Sequence, residues 1–122
     1  MPGTVLVVDD DAAVVAALRD ELAKYGLGVD AAATAETAAV LLDENVYCGL
    51  VLDLVLGRGS GFDVLQHISR NNLKVPTVVV TGKLPSYVRE MLDADHVKLV
   101  FPKPVEPRLL SSVVLGLCGI AR

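Results

Sequence analysis

Acidic, hydroxyl and basic side chains stand in this sequence where apolar runs end. Three consecutive aspartates, Asp9 to Asp11, follow the first apolar run, and Asp53 follows another. Thr81 ends a third run, and Lys103 comes shortly after a fourth. Carboxylates that lie together repel one another, so they stay ionised only if a cation lies among them. Oxygen ligands with no accompanying His or Cys favour Mg²⁺ or Mn²⁺ over zinc.

The elements that position these residues alternate in type. Short apolar, β-branched runs predict buried strands, and amphipathic stretches between them predict helices. The predicted strands cover residues 4–8, 28–33, 49–52, 76–80 and 97–101, and the predicted helices lie near 14–25, 35–43, 62–68, 85–92 and from Pro107 onward. Five β-α units in alternation predict a doubly wound α/β fold with a parallel sheet and helices on both faces. Such sheets bind ligands beyond the carboxyl ends of their strands, so the four sites above should converge.

Length and composition set the class of protein. A chain of 122 residues suits one domain, which we expect to cover 1–122, and its 52% hydrophobic content is ample for a core. The net charge of -4 argues against direct nucleic-acid binding. No apolar stretch approaches the ~20 residues of a membrane span, and the start of the chain does not resemble a secretory signal. We therefore expect a cytoplasmic protein with no membrane partner.

Two cysteines, Cys48 and Cys118, both lie in apolar context. One bridge between them is compatible with the sequence. Two buried free thiols in a reducing cytosol are the simpler interpretation, and they are what we expect.

Four segments resemble the receiver domains of bacterial response regulators, the CheY-like family. They are 6–11 (LVVDDD), 50–54 (LVLDL), 78–82 (VVVTG) and 101–104 (FPKP), and Gly61-Phe62 also falls where the family has Gly and an apolar residue. The likeness covers essentially the whole chain. It implies a flavodoxin-like fold with strand order 2-1-3-4-5. It also implies a two-component phosphorelay in which a histidine kinase or phosphotransfer protein gives a phosphoryl group to Asp53.

The resemblance assigns further roles at the strand ends. Lys103 would pair with Asp53 and then with a phosphoryl oxygen, Thr81 would donate its hydroxyl to the phosphoryl group, and Gly82 would leave room for it. The implied ligands of Mg²⁺ (or Mn²⁺) are three side chains and one backbone carbonyl: Asp9, Asp10, Asp53 and Val55. Asp11 either extends the acidic pocket or caps the following helix, and we favour the cap. The Lys103-Pro104 bond is expected to be cis, as the family typically has it.

Two positions depart from the family pattern. The strand-five position that is usually aromatic is Val100, and its neighbour Phe101 should point to the opposite face of the strand. Either a bulge in the strand register gives Phe101 the role of the aromatic residue, or the switch works by a different mechanism, which we favour. The loop after Asp53 usually carries Pro at the position of Gly57, and with Gly59 and Gly61 nearby we expect a flexible loop. An apolar Val55 offers nothing to orient an attacking water, which predicts slow dephosphorylation, although Lys83 could reach the phosphoryl group.

Partners follow from the same resemblance. The signal would leave through the face formed by the fourth helix, fifth strand and fifth helix, toward a downstream protein target or a fused output domain. The apolar residues of the last helix exceed one stripe, which fits either a homodimer through this face or simple exposure at a helix end. The domain would be a signalling protein, and no enzyme beyond its own phosphorylation and dephosphorylation.

Other functional classes fit this sequence less well than a phosphoacceptor receiver domain. A degenerate receiver that binds partners without phosphorylation is disfavoured by the intact set of Asp10, Asp53, Thr81 and Lys103. A haloacid-dehalogenase-like phosphatase needs a second Asp two residues after the nucleophile, where this chain has Val55. A GTPase needs a glycine-rich Lys-Ser/Thr loop that the sequence lacks.

Overall fold

Five parallel strands form one sheet in the order β2-β1-β3-β4-β5 in the computed structural model, which describes residues 3–82 and 97–120. The strands are β1 (Thr4–Val8), β2 (Gly28–Ala32), β3 (Gly49–Leu52), β4 (Thr77–Thr81) and β5 (Val97–Pro102). This confirms the predicted flavodoxin-like α/β fold and its strand order, with β2 at one edge. The strands β1, β3 and β4 read as nearly continuous apolar runs because both faces of the sheet are covered there.

Four described helices connect or follow these strands. They are α1 (Ala12–Ala23), α2 (Ala35–Glu44), α3 (Gly61–Arg70) and a C-terminal helix (Pro107–Leu117). The side chain of Asp11 accepts a hydrogen bond from the amide of Ala13 at 2.9 Å, so the predicted cap of α1 is confirmed. Thr34 caps α2 in the same way. The helix predicted at 85–92 lies outside the described residues.

The hydrophobic core consists of two layers, one on each face of the sheet. Because side chains alternate along a strand, Val5 and Val7 of β1 face one layer while Leu6 and Val8 face the other. The first layer includes side chains of α1 and the C-terminal helix: Val15, Leu18, Leu22, Leu110, Val114 and Leu115. The second includes side chains of α2 and α3: Ala38, Leu42, Val64, Leu65 and Ile68. Burial on both faces holds the strand ends, and hence the candidate site, on a rigid scaffold.

The cysteines correct the sequence-based expectation. Cys48 and Cys118 form a disulfide across 70 residues, with their Cα atoms 4.9 Å apart. Both residues are only half-buried, so the expectation of two buried free thiols is wrong. The physical reason is tertiary: Cys48 immediately precedes β3, and the C-terminal helix packs across that strand and carries Cys118 to it.

Most of the surplus apolar surface of the C-terminal helix is used inside the domain. Val113, Leu117 and Ile120 are partly buried against the first core layer, whereas the side chain of Leu109 is 53% exposed. Among the described residues no helix combines the length and apolarity needed to cross a membrane.

Candidate functional site

Four neighbouring strands deliver the candidate residues to one edge of the sheet. Asp9 follows β1, Asp53 follows β3, Thr81 ends β4, and Lys103 follows β5. Sheet-like hydrogen bonds continue to these positions: the amide of Asp53 donates to the carbonyl of Val8 at 2.9 Å, and that of Lys103 donates to the carbonyl of Thr81 at 2.8 Å. The functional side chains therefore start from fixed backbone positions.

Three carboxylates meet at this edge. One carboxylate oxygen from each of Asp9, Asp10 and Asp53 lies within 4.8 Å of the others. Asp9 and Asp53 are each 5% exposed, whereas Asp10 is on the surface. The side chain of Asp11, in contrast, is directed to the cap of α1 and does not belong to the cluster.

A single ammonium lies between the two buried carboxylates. Nζ of Lys103 is 2.8 Å from Oδ2 of Asp53 and 3.0 Å from Oδ2 of Asp9. Partial burial by itself would lower the pKa of Lys103, but the hydrogen bonds to Asp53 and Asp9 and their charges outweigh it and raise that pKa above its ordinary value. Lys103 is thus held as a cation inside the site.

Each buried carboxylate also accepts one backbone amide on its other oxygen. The amide of Asp11 donates to Oδ1 of Asp9, and the amide of Val55 donates to Oδ1 of Asp53, both at 2.9 Å. Hydrogen bonds to the charged form stabilise an ionised carboxylate. Both side chains are consequently fixed in orientation.

Asp10 is held differently. Its Oδ2 accepts a hydrogen bond from the amide of Gly57 at 2.8 Å, across 47 residues of sequence. The cluster therefore has three carboxylates against one described ammonium, which leaves two formal negative charges uncompensated among the described residues. A compact, oxygen-only donor set with this charge fits a hard divalent cation such as Mg²⁺.

Thr81 is the buried hydroxyl of the site. Its side chain is fully buried, and Oγ1 has no hydrogen-bond partner among the residues that the structure describes. A buried hydroxyl without a partner is uncommon in folded proteins, so this one calls for an explanation. Gly82 follows on the surface, and a Cβ added there would meet no described atom within 4 Å.

The loop after Asp53 folds back on the site. Val55 and Ser60 form an isolated antiparallel bridge, and the Ser60 hydroxyl caps α3. A Cβ at Gly61 would overlap the carbonyl oxygen of Asp53 and would lie 2.7 Å from Cα of Leu54, so only glycine allows this approach. The glycines thus have specific structural roles, while the predicted flexibility of the loop stays a prediction.

Sequence reasoning missed the hydrogen bond from Gly57 to Asp10. The available signal was the residue type: where the family usually has Pro, which has no N–H, this chain has a residue that can donate. The sequence shows that Gly57 replaces the usual proline. It does not show which group the amide of Gly57 contacts, because that contact depends on the conformation of the loop.

The remaining sequence-based expectations concern strand β5 and its end. Val100 and Phe101 pack against opposite core layers, as predicted. The register irregularity between β4 and β5 lies at Thr77 and Val78, away from Phe101. The Lys103-Pro104 bond is cis, as expected. Lys83 lies outside the described residues.

The comparisons with known proteins agree with this architecture. A sequence model of the family described as "Response regulator receiver domain" matches residues 5–115. The chain therefore belongs to the receiver-domain family of response regulators. It is 29% identical over 133 residues to the alginate biosynthesis transcriptional regulatory protein AlgB of Pseudomonas putida, covering 98% of this chain and 30% of AlgB. The chain spans about a third of the length of the curated relatives it matches.

Solved structures show the same fold. The receiver domain of the Francisella response regulator 1452 superposes with a TM-score of 0.83 at 21% identity, covering 95% of this chain and 96% of that one. The receiver domain of the sensor histidine kinase PA1611 from Pseudomonas aeruginosa, described with a magnesium ion coordinated in its active site cleft, gives a TM-score of 0.81 at 20% identity, covering 98% and 99%.

Proposed function

We propose that residues 1–122 form a phosphoacceptor receiver domain and that Asp53 takes the phosphoryl group from a histidine kinase or phosphotransfer protein. The observation that carries the proposal is the position of Lys103, whose ammonium contacts two of the three clustered carboxylates, those of Asp53 and Asp9. This arrangement supplies an ionised carboxylate, a fixed cation and a cation-binding set of oxygens at one place.

Transfer to Asp53 is a substitution at phosphorus. An oxygen of the Asp53 carboxylate forms a bond to phosphorus, the bond from phosphorus to the donor breaks, and the donor leaves with that electron pair. Phosphoryl transfer depends mainly on positioning and on neutralising charge. Asp53 is positioned by the amide of Val55, and Lys103 is placed to move its hydrogen bond from the carboxylate to a phosphoryl oxygen.

The metal ligands would be the side chains of Asp9, Asp10 and Asp53 with the backbone carbonyl of Val55. A bound Mg²⁺ neutralises negative charge on the carboxylates and the incoming phosphoryl oxygens. Asp10 is the exposed member, so it is the carboxylate that solvent ions reach first.

The unpaired hydroxyl of Thr81 supports a response to phosphorylation. Oγ1 is buried without a partner in residues 3–82 and 97–120, and a phosphoryl oxygen on Asp53 would give it one. This new bond would favour one of two conformations of the surface that includes β5 and the C-terminal helix. With Val100 in place of the usual aromatic residue, the change would not involve a swinging ring.

Output and partners form the rest of the proposal. A downstream protein target or a fused output domain would respond to this surface, and a homodimer through it is a further alternative. The cytoplasmic location is part of the proposal too. The exposed, apolar Val55 beside Asp53 supports a long-lived phosphorylated form.

The test is intact-mass spectrometry after incubation with acetyl phosphate, with and without Mg²⁺. We expect the wild type to gain one phosphoryl group only when the metal is present and Asp53→Asn to gain none. Asp20→Asn, an exposed aspartate of α1, is the matched control and should be modified like the wild type. If the wild type stays unmodified with acetyl phosphate and with a kinase, the chain is a phosphorylation-independent binding module.

A further inference from the structure

We infer that the backbone amide of Gly57 positions Asp10 for metal binding, so that Gly57 is a positioning residue of the site. The inference rests on the proposed function, because it assigns a role within the same metal centre. It goes beyond that function because the loop glycine, and not only the aspartates, would then set the affinity for the metal.

The first support is the asymmetry among the three carboxylates. Asp9 and Asp53 are buried and each contact Lys103, whereas Asp10 is exposed and has no such contact among the described residues. The hydrogen bond from Gly57, at 2.8 Å, is the described contact that fixes the Asp10 side chain. Without it, an exposed aspartate would sample several rotamers.

The second support is the fixed position of the donor. The bridge between Val55 and Ser60 closes the loop on both sides of Gly57, and Gly61 packs against the backbone of Asp53. The amide is therefore presented by a loop attached to the phosphoacceptor's own backbone. Asp10 and Asp53 are in this way linked through the loop as well as through space.

The third support is the use of the two Asp10 oxygens. Oδ2 accepts from Gly57, and Oδ1, which has no hydrogen bond within the described part of the chain, could then bind a cation. Metal-binding carboxylates are generally oriented by such hydrogen bonds, and loss of the partner costs ~10–100-fold in metal affinity. A proline at position 57 could not supply this bond, because proline has no N–H.

The chain offers a matched pair of variants. A Cβ at position 57 would lie 2.9 Å from Oδ2 of Asp10, so Gly57→Ala and Gly57→Pro both crowd the carboxylate, but only alanine keeps the N–H. Gly57 is not in the left-handed region, so neither variant is forced into it. The comparison of the two variants therefore isolates the donor.

Mn²⁺ titration of the unphosphorylated protein, with free Mn²⁺ counted by electron paramagnetic resonance, measures affinity without any turnover. We expect the dissociation constant of Gly57→Pro to exceed that of Gly57→Ala about tenfold or more. When Asp10→Asn is combined with each of these variants, the two double variants should have equal affinity for Mn²⁺. Melting temperatures in chelator should show that both variants are fully folded at the temperature of the titration, so that their difference in affinity does not reflect unfolding.

The outcomes separate the two proposals. If the wild type fails to bind Mn²⁺, the metal centre of the proposed function is overturned and this inference with it. If the wild type binds but the two variants have the same affinity, only the role of Gly57 is overturned.

A measurement on the wild type covers the case in which Gly57→Pro does not fold. In metal-free protein, the amide proton of Gly57 should resonate downfield and move upfield in Asp10→Ala. If the chemical shift of the Gly57 amide proton does not change on this substitution, the hydrogen bond is absent and the inference is overturned.

Discussion

Lys103 and Asp53, fifty residues apart in sequence, are in direct contact, with Nζ of the lysine 2.8 Å from Oδ2 of the aspartate. The same ammonium reaches Oδ2 of Asp9 at 3.0 Å. One cation therefore holds two buried carboxylates that follow different strands. Removing it should leave those carboxylates facing each other with their charges uncompensated.

Substitution Lys103→Met tests this dependence. We expect the free energy of unfolding in chelator to fall by about 2 kcal/mol, because two charge-assisted hydrogen bonds are lost. Saturating Mg²⁺ should stabilise the variant more than it stabilises the wild type, since a divalent cation replaces the missing charge. Chemical denaturation with and without Mg²⁺ measures both effects.

The control is Lys24→Met. Lys24 pairs with Glu21 at 3.1 Å on the surface, with its side chain 63% exposed. Such pairs contribute about 0.5 kcal/mol or less, and Mg²⁺ should not distinguish this variant from the wild type. Equal losses for the two variants would mean that the buried bridge has no special role.

The two buried threonines of β4 should respond oppositely to the same substitution. Thr77 and Thr81 are both fully buried, but the hydroxyl of Thr77 donates to the carbonyl of Val75 at 3.1 Å, while that of Thr81 has no described partner. We expect Thr81→Val to raise the free energy of unfolding by about 1 kcal/mol, because an unsatisfied hydroxyl is removed. Thr77→Val should lower it by a similar amount.

A mimic of the phosphoryl group tests whether the Thr81 hydroxyl contacts that group. Beryllofluoride with Mg²⁺ should stabilise the wild type more than Thr81→Val, because the hydroxyl gains its partner only in that complex. Denaturation of both proteins with and without the mimic measures the difference. An equal gain in the two proteins would remove Thr81 from the proposed site.

The sequence was sufficient for the fold and for the meeting of the strand-end residues. Alternating apolar runs predicted a parallel sheet, and parallel strands present their carboxyl ends at one edge. Asp9, Asp53, Thr81 and Lys103 each follow or end a strand, so the pattern placed them at the same end of the sheet, and their convergence followed once β1, β3, β4 and β5 were taken to be neighbours. The strand order itself came from the family resemblance.

What could not be predicted depends on how loops and helix ends are placed. The bond from Gly57 to Asp10 requires a particular loop conformation, which no local pattern encodes. The disulfide between Cys48 and Cys118 requires the C-terminal helix to lie across the start of β3. Burial that distinguishes Asp10 from Asp9 likewise arises from tertiary packing rather than from their adjacent positions.

Tyr47 should titrate at a higher pH in the folded protein than in the unfolded chain. Burial disfavours its phenolate, and the hydroxyl donates to Oδ2 of Asp30 at 2.7 Å, which together raise the pKa of Tyr47 to about 12. The folded state thus holds this proton more tightly than the unfolded state, whose pKa is near 10.0. The resulting stability is present below pH 10 and is lost as the pH rises from about 10 to about 12.

Ultraviolet titration of phenolate absorbance checks this difference. The step near pH 12 should disappear in Tyr47→Phe and persist in Tyr25→Phe, which changes a tyrosine that is 39% exposed. If Tyr47 of the folded wild type ionises near pH 10, its burial and its hydrogen bond to Asp30 do not raise its pKa.

The disulfide should contribute stability without affecting the acidic site. Cys48 stands at the amino end of β3 and Asp53 at its carboxyl end, which places them roughly 15 Å apart. Reduction by a dithiol, which leaves two thiols and an oxidised dithiol, should lower the free energy of unfolding by about 3 kcal/mol. The double variant Cys48→Ser, Cys118→Ser should match the reduced wild type and should not respond to the reductant. The affinity for Mn²⁺ should be the same in all of these forms; a change on reduction would mean that the bridge acts on the site through β3.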